Sequence, residues 1–173
     1  MSMKPIFILA SSLFIACGGS ANVESIEETP PLVEQQTPAQ PVEEPPPPEL
    51  LVDLKSIAGK SPDGVAAVLG VPNSQGSTKV GGKNYPKYFY RDGTVEVVFV
   101  KGVSEWISVF GTERLSFHRN SLADLGLPVT GASFVNPRGF MRWDNHAGLK
   151  EVSFFPNSSG GIRYVYICVT ICP

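Results

Sequence analysis

Two short turn signals, Asp92-Gly93 and Lys101-Gly102, restrict this chain more than any other feature. They separate three alternating runs, residues 85–91, 94–100 and 103–110. A glycine-ending dipeptide between such runs supplies the positive φ angles of a tight hairpin, whose twist suits the flanking strands. The expected product is a three-stranded antiparallel meander. Two-residue loops also set register, and register decides which side chains share a face. Arg91 is set opposite Thr94, Tyr90 opposite Val95 and Tyr88 opposite Val97. In the second hairpin Val97 is set opposite Trp106 and Val95 opposite Ser108. One face then collects Tyr88, Tyr90, Val95, Val97, Phe99, Trp106 and Phe110, and is read as core rather than as a recognition stripe. The other collects Lys87, Phe89, Arg91, Thr94, Glu96, Val98, Glu105 and Ile107.

Upstream of the meander the period changes. Leu50, Leu51, Leu54 and Ile57 fall at helical spacing, and Gly59 ends that run. Ser61-Pro62 reads as an N-cap followed by proline at the first helical position, where its missing N–H costs nothing. Val65, Val68 and Leu69 form one apolar stripe, and Gly70 stands where a helix-ending glycine belongs. Asn73–Asn84 reads as a polar, glycine-rich loop. Leu69-Gly70-Val71-Pro72 recurs as Leu125-Gly126-Leu127-Pro128, 56 positions later. A similar order follows it: an aromatic strand at 138–143, a Gly/Asn turn, a strand at 149–155, a Pro-Asn-Ser-Ser-Gly-Gly loop and a strand at 162–169. The expected fold class is α+β. Two helix-plus-three-stranded-meander units, about 50–110 and 111–173, form one antiparallel sheet with helices on one face. One such unit of about 60 residues is marginal by itself, and two sharing a sheet are adequate.

The rest of the chain reads as an address and a spacer. After Lys4, residues 5–16 form a mostly apolar run of twelve, the length of a secretory h-region and short of the roughly 20 residues a spanning helix needs. Phe14-Ile15-Ala16-Cys17 resembles the bacterial lipobox, which implies cleavage between Ala16 and Cys17 and acylation of the Cys17 thiol. A plain secretory signal cut near Ala16 or Ala21 is the other reading. Residues 18–49 hold eight prolines and seven glutamates with no lysine or arginine. Such a stretch buries too little apolar surface to offset its ordering entropy and reads as a disordered linker. Proline and like charge extend it, to a reach of up to ~100 Å at ~3.1 Å per residue. The following domain has thirteen Lys and Arg against nine Asp and Glu, a net of +4. Those bases are scattered, whereas a nucleic-acid footprint needs them clustered on one face. Nucleic acid is therefore not an expected partner.

Little in the sequence points to catalysis. His118 and His146 are the two histidines, and His146 falls in the Asp144–Gly148 turn without a nucleophile motif beside it. Walker glycines, paired catalytic carboxylates and His-Glu-x-x-His are missing. No cofactor and no metal site are expected, and Asn157-Ser158-Ser159 is read as turn chemistry rather than as a glycosylation site. Cys168 and Cys172 form an even pair in an exported chain. In a straight strand their Cα atoms would lie roughly 13 Å apart at ~3.3 Å per residue, beyond the ~7 Å bridging limit. A disulfide thus requires a turn at Val169–Ile171, and two buried unbridged cysteines are the alternative. The binding candidates are Phe89, Arg91, Glu96 and Glu105 on the mixed face, joined by Tyr164 and Tyr166 opposite Ser153 and Glu151. Tyr and Arg favour hot spots. A solvated sheet face has a similar composition.

Gly59-Lys60-Ser61-Pro62, Val65, and Val68-Leu69-Gly70-Val71-Pro72, followed by an aromatic hairpin, resemble the SmpA/OmlA group of small outer-membrane lipoproteins. The tandem arrangement is similar to the β-lactamase-inhibitor-protein fold, which presents a concave sheet to its partner. The resemblance implies a non-enzymatic protein anchored by lipid in the bacterial cell envelope, most readily in the outer membrane facing the periplasm. Its work is then protein–protein binding of a structural or assembly kind. A periplasmic inhibitor or ligand-binding module using the exposed sheet face is the second reading, and a periplasmic enzyme the third.

Overall fold

The computed structural model describes residues 49–136 and 138–173. The expected leader, its Ala16–Cys17 cleavage site, the acylated Cys17 and nearly all of the Pro/Glu linker lie outside the described residues. Within them the architecture is mostly β: one eight-stranded antiparallel sheet with a few short helices.

Four strands come from each half of the domain. The first half contributes β1 (Ser74–Val80), β2 (Lys83–Tyr90), β3 (Val95–Val100) and β4 (Val103–Val109). The second contributes β5 (Phe134–Asn136), β6 (Phe140–His146), β7 (Leu149–Pro156) and β8 (Ile162–Cys168). Their order is β1-β2-β3-β4-β8-β7-β6-β5, so β4 and β8 join the halves at the centre. This corrects the expectation of two helix-plus-three-stranded units. The segment 73–84, expected as a loop, is mostly the β1–β2 hairpin turning at Gly81-Gly82, both with positive φ. β1 is largely exposed, so its sequence Ser-Gln-Gly-Ser-Thr-Lys-Val shows no apolar alternation to betray it. The second half has no α-helix among the described residues. Its Leu-Gly-x-Pro motif instead ends a 3₁₀ helix, Arg119–Leu125.

Helices α1 (Leu54–Ile57) and α2 (Pro62–Leu69) supply one side of the core. α1 is a single turn, N-capped by Asp53 Oδ1, which accepts from Lys55 N at 3.1 Å. α2 starts as its sequence dictates, with Ser61 Oγ accepting from Gly64 N at 3.2 Å. Gly70 closes it at φ +89° and Gly126 closes the 3₁₀ helix at φ +70°, conformations that a Cβ disfavours. Leu54, Ile57, Val65 and Leu69 bury against Tyr90, Val95, Val97, Ile107 and Val109, and Leu122 and Leu125 join the same cluster. Val68, expected in the apolar stripe, is instead exposed.

The Lys101-Gly102 turn forms as expected, closed by Val100 and Val103, whereas the Asp92-Gly93 turn widens to take in Arg91–Thr94, with Arg91, Asp92 and Gly93 all at positive φ; Tyr90 still pairs with Val95 and Tyr88 with Val97. The next hairpin departs. Val100 pairs with Val103 and Phe99 with Ser104, but Val98 then pairs with Trp106 and Val97 with Ile107. Glu105 is thus one residue too many in β4, a β-bulge that reverses the faces of everything beyond it. Ile107 enters the core, fully buried, while Trp106 turns to the opposite side with Val98, Val100 and Cys168. Phe110, expected in the core, is exposed.

The bulge predicts a sharp contrast between neighbours. Ile107→Ala should lower stability by about 2–5 kcal/mol in urea unfolding, as a core truncation does. An Ile107 on the solvent side would leave the midpoint almost unchanged.

Candidate functional site

The sheet face away from the helices carries a row of aromatic rings crossing five strands. Alternation outward from the core places Phe110 just after β4, Tyr164 on β8, Phe155 on β7, Phe140 on β6 and Phe134 on β5 on one side. Successive ring centroids lie 6.0, 4.4, 5.8 and 5.2 Å apart. These steps are close to the ~4.8 Å spacing of neighbouring strands, as expected for cross-strand stacking. Phe155 and Tyr164 are almost parallel, at 10°. These two rings face one another, and the other three pairs are tilted by 30–35°. Phe110 and Phe134, at the ends of the row, are 38% and 44% exposed, and the three between them are half-buried. The Arg142 guanidinium lies 5.9 Å from the Phe134 ring centroid and pairs with Asp144 at 3.1 Å. The row therefore offers a continuous apolar strip bordered by one anchored cation. It is suited to burying apolar side chains.

The sequence-derived candidates distribute themselves around this strip. Tyr164 belongs to it. Tyr166 pairs with Ser153 and Tyr164 with Phe155, a register two residues from the expected one, which leaves both tyrosines on the expected face. Phe89 is half-buried under Lys87, whose Nζ lies 4.9 Å from the ring centroid and also pairs with Glu96 at 3.3 Å. These three make a small charged cluster on the first half of the same face. Arg91 is exposed but engaged elsewhere, its guanidinium donating to the Leu51 carbonyl at 2.7 Å. Glu105 departs most from the expectation of an open position, because the bulge draws it in to 5% exposure.

Glu105 organises a second feature of this side. Cys168 and Cys172 are joined in a disulfide with Cα atoms 5.4 Å apart, and the chain bends at Val169–Thr170 as such a bridge requires. Oε2 of Glu105 accepts from Thr170 N at 2.9 Å and from Ile171 N at 3.0 Å, and Oε1 accepts from Thr170 Oγ1 at 2.6 Å. The Trp106 indole N–H donates to the Ile171 carbonyl. A shallow hollow of about 290 Å³ lies beside the bend, lined by Asn145, Gly148, Leu149, Lys150, Val169 and Thr170.

Other polar side chains hold loops. His146 Nε2 meets the Pro128 carbonyl at 3.0 Å and Nδ1 meets Thr130 Oγ1 at 3.4 Å, tying the β6–β7 turn to the preceding segment. Asn157 Oδ1 accepts from Ser159 N and Gly161 N, both at 2.9 Å, the turn role expected of it. Among the described residues no cluster of three metal-ligating side chains occurs.

Phe134, Phe140 and Phe155 carried no signal as binding residues, because their alignment depends on registers across β5 to β8 that no two-residue loop fixes throughout. Phe110 lies on the face opposite to the expected one because the bulge at Glu105 reverses the alternation before it.

Tyr166 has a hydroxyl with no hydrogen-bond partner among the described residues. Burial, followed by the neighbouring Glu151 carboxylate, pushes its phenol up to about 12. A folded-state value above the unfolded value of about 10 means that the native state holds this proton longer. Its contribution is complete below pH 10 and is lost as pH rises toward 12. Tyr166→Phe should therefore cost nothing at pH 7 and flatten the fall in stability between pH 10 and 12. A fall as steep in the variant as in the parent would contradict that placement.

The chain matches no known protein family, and neither its sequence nor its fold matches a characterised protein or a solved structure.

Proposed function

We propose that this is a lipid-anchored protein of the bacterial cell envelope that acts by binding another protein through the open face of its sheet. The observation that carries the binding half of this reading is the aromatic row from Phe110 to Phe134. Contiguous apolar surface left facing water is unfavourable, and on a folded domain it marks an interaction site more readily than scattered apolar residues do. Rings already packed against one another across the strands lose little conformational freedom when a partner covers them, which favours affinity. The anchoring half rests on the sequence Phe14-Ile15-Ala16-Cys17, and the Pro/Glu stretch supplies reach between membrane and domain. The resemblance of Gly59 to Pro72 and the aromatic hairpin after it to the SmpA/OmlA lipoproteins favours an outer-membrane, periplasm-facing location and a structural or assembly role.

Both halves can be tested separately. Metabolic labelling with a clickable palmitate should mark the wild-type protein and leave Cys17→Ala unmarked, whereas equal labelling of the two would remove the anchor. A photo-crosslinking amino acid at Phe155 or Phe140 in intact cells should join the protein to one discrete envelope protein. The same group at Val71, which is 85% exposed outside the row, should not. Indistinguishable products from both positions would remove the open face as the binding surface.

A further inference from the structure

We propose that Cys168–Cys172 is an exchangeable disulfide, addressed at Cys172 by a dithiol reductant, and that its reduction releases residues 170–173 from Glu105 and uncovers Trp106. This inference does not depend on the identity of any binding partner. Three observations lead to it.

The first is unequal access. Cys168 is completely buried, at the end of β8 and paired on both sides by Trp106 and Glu151. Cys172 is exposed beyond the bend. Attack on a disulfide needs a sulfur that a thiolate can reach. Access therefore selects Cys172. One thiolate of the reductant bonds to the Cys172 sulfur, the S–S bond breaks, and the Cys168 sulfur leaves as a thiolate that takes up a proton. The reductant's second thiolate then displaces the Cys172 sulfur. The protein ends with two thiols and the reductant with one disulfide, two electrons having passed to the protein.

The second is the size of the closed loop. Only Val169, Thr170 and Ile171 intervene, so the bond removes little entropy from the unfolded chain compared with one closing a long loop. Cys168 is the last paired residue of β8 and Cys172 lies beyond the strand, so the ladders end where the bridge begins. The bond is placed to shape a segment rather than to staple the domain.

The third is what the bend brings together. It carries the Thr170 and Ile171 amides onto a carboxylate that the β4 bulge has withdrawn from solvent. It also sets the Ile171 carbonyl on the Trp106 indole N–H. Val169 is held independently, its amide donating to the Glu105 carbonyl at 2.8 Å and its carbonyl accepting from Lys150 N at 2.9 Å. Among the described residues, Glu105 and Trp106 make the only hydrogen bonds to residues 170–173. Once the bridge no longer imposes the bend, an extended continuation of β8 moves these amides away from the carboxylate. The indole, 7% exposed with the bridge closed, then meets water on the same side as the aromatic row.

The test is amide hydrogen exchange by NMR on the full-length protein in detergent micelles, before and after a dithiol reductant, with thiol alkylation to verify the redox state. Thr170 and Ile171 should exchange at least about tenfold faster after reduction, while core amides such as Val97 and Val165 keep their rates. Trp106 emission should shift to the red, and limited alkylation should mark Cys172 before Cys168. A Cys168→Ser, Cys172→Ser double variant should show the reduced pattern without any reductant. Unchanged protection of Thr170 and Ile171 would mean that Glu105 holds the segment alone, and loss of protection at Val97 and Val165 would make the bond a staple of the whole fold. Either result overturns the proposal.

Discussion

The carboxylate of Glu105 occupies a place that a regular strand does not provide, and much of the domain follows from it. One additional residue in β4, opposite the Val98–Phe99 step, rotates the chain by one side-chain position. Ile107 and Val109 thereby complete the core with α1 and α2, and Trp106 moves to the uncovered side. A buried carboxylate needs donors, because desolvating a charge without partners is strongly unfavourable. The bend between Cys168 and Cys172 supplies three. The bulge, the buried acid and the disulfide bend are thus one arrangement formed by segments more than sixty residues apart.

β4 is also where the halves of the sheet meet. Its partner β8 aligns Ile107 with Ile167 and Val109 with Val165 on the core side, and Trp106 with Cys168 on the other. A shift of one residue in this central pair would expose the first set and bury the second. Register here governs the open face as far as β5, where Tyr164, Phe155, Phe140 and Phe134 come into line. Antiparallel sheets commonly keep one face wet. This face carries charges as well, Lys87 with Glu96 and Arg142 with Asp144, but between them five rings fall in line across the strands and form a surface with a use for a partner.

Local chemistry was legible in the sequence where short-range rules apply. Asp92-Gly93 and Lys101-Gly102 announced their hairpins, Ser61-Pro62 and Gly70 the limits of α2, and the spacing of Cys168 and Cys172 the bend that their disulfide needs. The polar strand β1 was not legible, since a strand exposed for most of its length has no reason to alternate. Nor was the bulge, because the run Val-Ser-Glu-Trp-Ile-Ser-Val alternates acceptably in either register, and only the packing of Ile107 decides between them. Equating the second half with the first hid β5 and turned a 3₁₀ helix into an expected α-helix. The aromatic row lay beyond reach because it is assembled by four strand pairings, and an error in any one dissolves it.

The direction in which Trp106 points is the most direct test of this account. Nuclear Overhauser contacts of its indole ring, assigned against a Trp106→Phe variant, distinguish the two faces without any functional assay. The account predicts contacts to Tyr85 and Ile171, since the Tyr85 ring centroid lies 5.2 Å away and the Ile171 carbonyl accepts the indole proton. Contacts to Leu69 or Val65 of α2 instead would place the indole in the core and contradict the bulge, the buried carboxylate and the open face together.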